Sequence, residues 1–199
     1  MKLKNTVLLS IFILLFVAST NAQKIKLLSG DFTQLKGQNS FDLIFSYDSM
    51  IIGENTPEDE YLEKKKKEWD LKEYDRGRAF VAQWYADRED LYELPFTKFF
   101  EDYLKTRTLD RNSNYTLILK TKRTEGGWSA GIMAHPGEID GELWIVESEN
   151  PDNIIAKIGF YNVAGKISSG GDFEMTTRIQ SAYEEAGMYL GFYLRRKLK

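Results

Sequence analysis

The carboxyl-terminal stretch constrains the fold most, because it has the pattern of one long amphipathic helix. Apolar and small residues recur there at three- and four-residue steps: Met175, Ile179, Ala182, Ala186, Leu190, Tyr193 and Leu194. Asp172, which follows two glycines, is the expected N-cap, and the basic residues from Arg195 onward suit the negative end of a helix dipole. We therefore predict a helix over residues 173–199.

Two glycines inside this helical pattern indicate a close contact. A glycine within a helix costs about 1 kcal/mol relative to alanine, so its presence needs a packing reason. Gly187 and Gly191 lie near the small residues Ala182 and Ala186. We expect this part of the helix to lie close on a sheet.

The remaining elements predict an α+β fold. Residues 58–90 and 95–107 have helical patterns, with a bend or break expected at Gly77. Predicted strands cover residues 24–28, 40–47, 115–121, 131–134, 142–147 and 154–160. The connections between the last four are too short for crossover helices, so we predict an antiparallel meander. The expected fold is a mainly antiparallel sheet with helices packed on one face and a long C-terminal helix.

The amino terminus has the three parts of a secretory signal peptide. A basic start precedes an apolar run over residues 7–17, and Thr20 and Ala22 are the small residues before a cleavage site at Gln23. The apolar run is too short to cross a bilayer comfortably. We predict that residues 1–22 are removed and that no integral membrane segment is left after cleavage.

The absence of cysteine limits both chemistry and location. It excludes disulfides, thiol catalysis, cysteine metal sites and lipid attachment through an N-terminal cysteine. An exported chain without disulfides depends on its core, which fits a bacterial envelope better than a small disulfide-bonded secreted scaffold. We therefore predict a single α+β domain over residues 23–199, exported to the periplasm or cell surface of a Gram-negative bacterium.

The charge balance gives no reason to expect a nucleic-acid partner. The net charge is −3, and it becomes −5 without residues 1–22, which hold two lysines and no acid. The lysine run at residues 64–67 is flanked by acids, several of them four residues before a lysine, which is the spacing of ion pairs on a helix surface. We interpret this run as a solvated helix face.

Several segments carry a resemblance to known proteins. They are YTLILKT at residues 115–121, GELWIV at 141–146, IAKI at 155–158, GGD at 170–172, RIQSAYEEAG at 178–187 and LGFYL at 190–194. In this order they resemble uncharacterised secreted proteins of Bacteroidetes. More distantly, they are similar to the amino-terminal domain of TolB and related envelope accessory proteins. The resemblance implies a domain that binds envelope proteins without catalytic activity. The β-propeller that follows in TolB has no counterpart in the sequence, so the Tol role is not implied.

An acidic strand region is the candidate for catalysis. Glu138, Asp140 and Glu142 alternate along a predicted strand and so share one face. Paired carboxylates across a cleft hydrolyse glycosides, which makes a secreted hydrolase of glycan or peptide the alternative function. The simpler interpretation is a solvated sheet face. With one histidine, His135, and no nucleophile elbow, we predict no metal and no cofactor.

Three residues are candidates for binding. Trp128 follows two glycines and is expected to be partly exposed, His135 lies in a His-Pro-Gly turn, and Trp144 lies within a predicted strand. Aromatic rings of this kind stack on sugars or peptides. The leading hypothesis is a non-enzymatic module that binds an envelope protein partner or a small ligand through the sheet surface left open by the final helix. A purely structural surface protein is a third possibility.

Overall fold

A computed structural model describes residues 25–105, 107–130, 133–166 and 175–199. The predicted signal peptide and the predicted cap at Asp172 lie outside the described residues. The strands are β1 (Ile25–Gly30), β2 (Ser40–Ser46), β3 (Ile51–Ile52), β4 (Thr56–Pro57), β5 (Thr108–Leu109), β6 (Tyr115–Glu125), β7 (Trp128–Ala130), β8 (Met133–His135), β9 (Glu138–Glu147) and β10 (Ile154–Ala164). The helices are α1 (Glu58–Asp70), α2 (Arg76–Asp87), α3 (Leu94–Leu104) and α4 (Met175–Lys197), with a π-helical segment at Arg88–Glu93 between α2 and α3.

The main sheet has the strand order β1-β10-β9-β6-β2-β5. The four neighbouring strands β1, β10, β9 and β6 pair antiparallel, which confirms the mainly antiparallel sheet. They include the predicted meander, formed by β6, β9 and β10. The edge differs from the prediction, because β2 lies parallel to β6 and β5 lies parallel to β2. The three helices between β2 and β6 supply the long connection that a parallel pair needs.

The predicted strand at residues 131–134 does not join the meander. Its described residues, Met133 and Ala134, belong to β8, which pairs only with β7 in a separate two-stranded ribbon. This ribbon projects from the connection between β6 and β9. The short turns of this region were correctly predicted, but the meander has three strands, β6, β9 and β10, rather than the four that we expected.

The register of the sheet separates a buried face from a solvated one. Leu119, Leu143 and Ile158 lie side by side on β6, β9 and β10 and are completely buried. The neighbouring row, formed by Ile118, Trp144 and Lys157, points to the opposite side of the sheet. Helix α4 packs on the first face, so the core lies between this helix and the sheet.

The glycines of α4 serve a helix contact rather than the sheet contact that we predicted. A Cβ atom on Gly187 would lie 2.5 Å from the carbonyl oxygen of Phe96, and one on Gly191 would lie 2.5 Å from that of Phe100. Both carbonyls belong to α3. Because the two helix backbones approach so closely, only glycine fits at these positions.

Helices α1 and α2 form a charged hairpin over a second, smaller core made of Met50, Ile52, Leu62 and Trp84. The hairpin turns at residues 71–75, before Gly77, so the predicted break was placed too late. Gly77 instead allows α2 to pack closely on α1, since a Cβ atom added at this position would lie 2.1 Å from the carbonyl oxygen of Lys66. The lysine run is the solvated face expected, with Lys66 paired to Asp70 and Lys67 to Glu63.

Candidate functional site

The face of the sheet opposite α4 is partly exposed to solvent. We call it the open face and define it by these residues: Lys26, Ile44, Ile118, Lys120, Glu142, Trp144, Lys157 and Tyr161. Ile44 is 45% exposed and Tyr161 is 36% exposed. Among the described helices, only α4 packs extensively on β9 and β10, and it does so from the other side.

Trp144 lies at the middle of the open face between two lysines. The ammonium of Lys157 is 3.8 Å from the centre of the Trp144 ring, and that of Lys120 is 4.2 Å from it. The sheet register explains both contacts, because Lys157 is directly opposite Trp144 on β10 and Lys120 is diagonal to it on β6. The indole N–H donates a hydrogen bond of 2.5 Å to Glu142. These contacts fix the ring on the surface.

Tyr161 forms a second aromatic group on the same face. A Cβ atom on Gly159 would lie 2.6–2.9 Å from atoms of the Tyr161 side chain, so the ring lies directly over this glycine. The ammonium of Lys26, on the neighbouring strand β1, is 4.9 Å from the ring centre. Gly159 thus gives Tyr161 room to lie flat on the sheet beneath a lysine.

Among the described residues, the three lysines form no ion pair. The ion pairs lie on α1, at Arg76 and Arg78 at the start of α2, around Arg88, around Arg123 and at Lys166, and none includes Lys26, Lys120 or Lys157. Each ammonium instead lies over an aromatic ring, which attracts a cation through its negative π face. The centre of the open face is therefore cationic in a chain whose net charge is −3.

Arg123 organises the other end of this face. Its guanidinium donates hydrogen bonds to Asp140 at 2.6 Å, to Glu138 at 3.2 Å and to Asn162 at 3.1 Å. The hydrogen bond to Asp140 raises the pKa of Arg123. Glu138 and Asp140 do share a face with Glu142, as the alternation predicts. The sequence did not identify Arg123 as their partner, because that pairing depends on the β6–β9 register and on a bulge after Thr121.

This geometry gives the three candidate catalytic carboxylates other roles. One guanidinium holds Glu138 and Asp140, and the Trp144 indole holds Glu142. Neither of the two described clefts, of 530 and 220 Å³, is lined by any of the three residues. Paired acid and base groups of a hydrolase need a substrate between them. The arrangement is that of a surface ion-pair network.

The three predicted binding residues occupy two separate places. Trp128 and His135 are paired across the β7–β8 ribbon, where Trp128 is 50% exposed, as predicted, and His135 is exposed. Trp144 lies six residues beyond Glu138, the first residue of β9, which is about 20 Å along the strand. The structure therefore brings Trp144 together with lysines that the sequence did not single out.

A cleft of 530 Å³ lies where β2, β3 and α1 meet. It is lined by Tyr47, Ser49, Met50, Ile51, Pro57, Glu58 and Asp59. Glu58 accepts hydrogen bonds from Arg88, at 2.5 and 2.6 Å, and from the Trp84 indole, at 2.6 Å. The Arg88 guanidinium also lies 4.1 Å from the centre of the Tyr47 ring. Glu58, one of the two acids that line this cleft, is thus paired with the Arg88 cation.

Three buried polar atoms near Arg88 lack hydrogen bonds. They are the hydroxyls of Tyr47 and Tyr92 and the Nε of Arg88, and none has a partner in hydrogen-bond geometry among the residues that the structure describes. Burial raises the pKa of both tyrosines and also that of Glu93, which lies nearby. Sequence reasoning missed this group, because Tyr47 follows β2 while the other members belong to the π-helical segment, and the two meet only in the fold.

No protein-family model, no curated protein and no solved structure matches this chain. In the described ranges, no three His, Asp or Glu residues converge as metal ligands would. None of the described helices combines the length and apolar character needed to cross a membrane. The fold and its surface therefore define an α+β module with an aromatic and cationic sheet face.

Proposed function

We propose that this protein is an exported, non-enzymatic binding module of the bacterial envelope or cell surface, and that the open face is its binding surface. The observation that carries the proposal is the placement of two aromatic rings on this face, Trp144 with two lysines and Tyr161 with one, none of them in an ion pair with another described residue. The predicted signal peptide supports export, and the resemblance to secreted and envelope accessory proteins supports the location.

The open face contributes little to folding stability. A cation over an exposed aromatic ring contributes about 0.5–1 kcal/mol, and the buried core lies on the other side of the sheet. Aromatic rings exposed on a surface instead gain energy when a ligand removes them from water. This difference favours binding as the role of the Trp144 and Tyr161 groups.

The alternative function, a secreted hydrolase of glycan or peptide, has weaker support. It needs a free acid and a free base at a cleft. Asp140 and Glu138 share Arg123, and Glu142 accepts a hydrogen bond from Trp144. We therefore do not propose it.

The tryptophan indole N–H signals in a nitrogen–proton correlation spectrum test the proposal. The chain has four tryptophans, and a Trp144→Phe variant identifies the signal of Trp144. Purified protein is titrated with a panel of acidic and neutral oligosaccharides and short peptides. We expect at least one probe to shift the Trp144 signal, while that of Trp84, which is 3% exposed, stays in place.

Two variants distinguish binding at the open face from binding at Trp128, the exposed tryptophan of the β7–β8 ribbon. Trp144→Ala is expected to weaken binding of the responding probe by about tenfold, because it removes the central ring. Trp128→Ala, on the β7–β8 ribbon, is the matched control and should leave binding unchanged. A panel that shifts no tryptophan signal, or only that of Trp128, contradicts the proposal.

A further inference from the structure

The charges of the open face indicate the chemistry of its ligand. Lys120 and Lys157 place two ammonium groups within 4.2 Å of one indole centre, and Lys26 places a third over Tyr161. None of the three forms an ion pair with a carboxylate of the described residues, and Glu142, which lies opposite Lys120, offsets only part of their charge. We propose that this face binds an acidic polysaccharide, a chain of sugar rings that carry uronic acid carboxylates. This inference rests on the proposed function and names its ligand class.

The two kinds of group match the two parts of such a ligand. Sugar rings present flat C–H faces, which pack on Trp144 and Tyr161, while each lysine is a compact cation on a flexible stem that can turn toward a carboxylate. A charged hydrogen bond between ammonium and carboxylate is stronger than one between neutral groups. The cation–π contacts keep the lysines at the ring in the absence of ligand.

The length of the surface suits an oligosaccharide rather than a single sugar. Lys157, opposite Trp144, and Tyr161 lie on the same strand, four residues apart, which is about 13 Å. The Tyr161 ring itself lies back over Gly159, two residues or about 7 Å from Lys157, so the two aromatic groups are about one sugar ring apart along the sheet. A chain laid across the face would contact both groups at once.

Glu142 favours a polysaccharide over a nucleic acid. Its carboxylate lies at the centre of the cationic group, where it accepts the Trp144 indole hydrogen bond. A carboxylate can accept further hydrogen bonds from sugar hydroxyls, which a polysaccharide presents on every ring and a DNA backbone lacks.

The probe that tests this inference is a short galacturonic acid oligomer, compared with the galactose oligomer of the same linkage and with an oligothymidylate. Binding is followed by calorimetry and by the Trp144 indole signal. We expect the galacturonate to bind at least about tenfold more tightly than the neutral oligomer, and to weaken as salt is added. Its binding should shift the Trp144 signal.

A pair of matched variants isolates the lysines. Lys120→Gln with Lys157→Gln keeps a polar side chain at both positions and removes two charges from the open face, and we expect about tenfold weaker galacturonate binding. Lys64→Gln with Lys98→Gln removes two exposed charges from α1 and α3, neither of them in an ion pair, and should leave the affinity unchanged. If both double variants lost the same galacturonate affinity, the oligomer would be responding only to the net charge of the protein, and the inference would be overturned.

The other outcomes are distinguishable. Equal binding of the neutral oligomer overturns the acidic ligand but leaves the proposed function intact. Tighter binding of the oligothymidylate overturns the polysaccharide in favour of a nucleic acid. If the galacturonate does not bind while a peptide of the panel shifts Trp144, only this inference fails. If no probe shifts Trp144, both it and the proposed function fail.

Discussion

The hydroxyl groups of Tyr183 and Thr121 share a hydrogen bond of 2.8 Å at the centre of the core, where α4 crosses β6. Tyr183 is completely buried and Thr121 is 1% exposed. The Tyr183 ring also stacks on Tyr92, with ring centres 5.0 Å apart. Burial raises the pKa of Tyr183, so the bond joins two neutral groups. Together with the hydrogen bonds from Arg178 to the carbonyl oxygens of Gly126 and Gly127, this contact ties the long helix to β6 and the turn after it.

Tyr183→Phe is expected to lower the free energy of unfolding by about 1–3 kcal/mol, because it leaves the buried Thr121 hydroxyl without its partner. Urea denaturation measures the change. The double variant with Thr121→Val removes both hydroxyls, so its loss should be smaller than the sum of the two single losses. Strictly additive losses would show that the two groups do not interact.

Gly191→Ala is expected to destabilise the protein by about 1–3 kcal/mol, although alanine is the better helix former. The added methyl group would meet the carbonyl oxygen of Phe100 at 2.5 Å. Thermal unfolding measures the loss. Thr177→Ala, at an exposed position of the same helix, is the control and should not destabilise. A Gly191→Ala variant as stable as the wild type would show that α3 and α4 have room to separate.

Arg123→Met is expected to cost about 1–3 kcal/mol, because it leaves the partly buried carboxylates of Asp140 and Glu138 without a counter-charge. Arg123→Lys should recover part of this loss, since one ammonium cannot reproduce the fork of hydrogen bonds. Chemical denaturation compares the two variants. Arg78→Met breaks an exposed ion pair on α2 and serves as the control, with no change expected in the unfolding midpoint. Equal losses for Arg78→Met and Arg123→Met would contradict the structural role of Arg123.

Glu93→Gln is expected to stabilise the protein in a pH-dependent way. Burial raises the pKa of Glu93 above its ordinary value of 4.5, so the folded state prefers the protonated form. Below pH 4.5 the wild-type carboxyl is neutral in both states and no penalty arises. As the pH rises through the raised pKa of the folded state, the wild type loses stability and the variant does not.

The measurement is the difference in unfolding free energy between Glu93→Gln and the wild type, taken in urea at acidic and neutral pH. The difference should be small at low pH and should grow in favour of the variant as the pH rises. Leu94→Ala, at a neighbouring position that is 59% exposed, alters no charge, so its difference from the wild type should not follow this trend. If the stability advantage of Glu93→Gln shrank as the pH rises, the pKa of Glu93 would be lowered on folding rather than raised, and the prediction would be wrong.

Local patterns were sufficient to predict the fold class and the longer elements, but not the short strands β3, β4 and β5. The final helix was expected over residues 173–199 and is described from Met175 to Lys197, because its apolar stripe has a helical period over many turns. The strands β6, β9 and β10 were located by their alternation and by strong turn sequences. The exposure of Trp128 also followed from the neighbouring glycines.

Relationships between distant segments were not predictable from these patterns. The parallel insertion of β2 beside β6 joins strands separated by three helices, and nothing in either strand's sequence specifies that neighbour. The same limit applies to Arg123 with Asp140 and to the lysines around Trp144, since each depends on the register of paired strands. A glycine in a helix indicates a close neighbour, but it does not tell whether that neighbour is α3 or the sheet.

The pairing of β1 with β10 has a consequence for biosynthesis. Ile25 is matched with Phe160, so the first described strand has no partner until nearly the whole chain has been made. A polypeptide that leaves the ribosome or crosses a translocation pore from its amino end would carry this strand unpaired throughout its passage. Completion of the sheet is therefore a late event, which waits for the synthesis of β10.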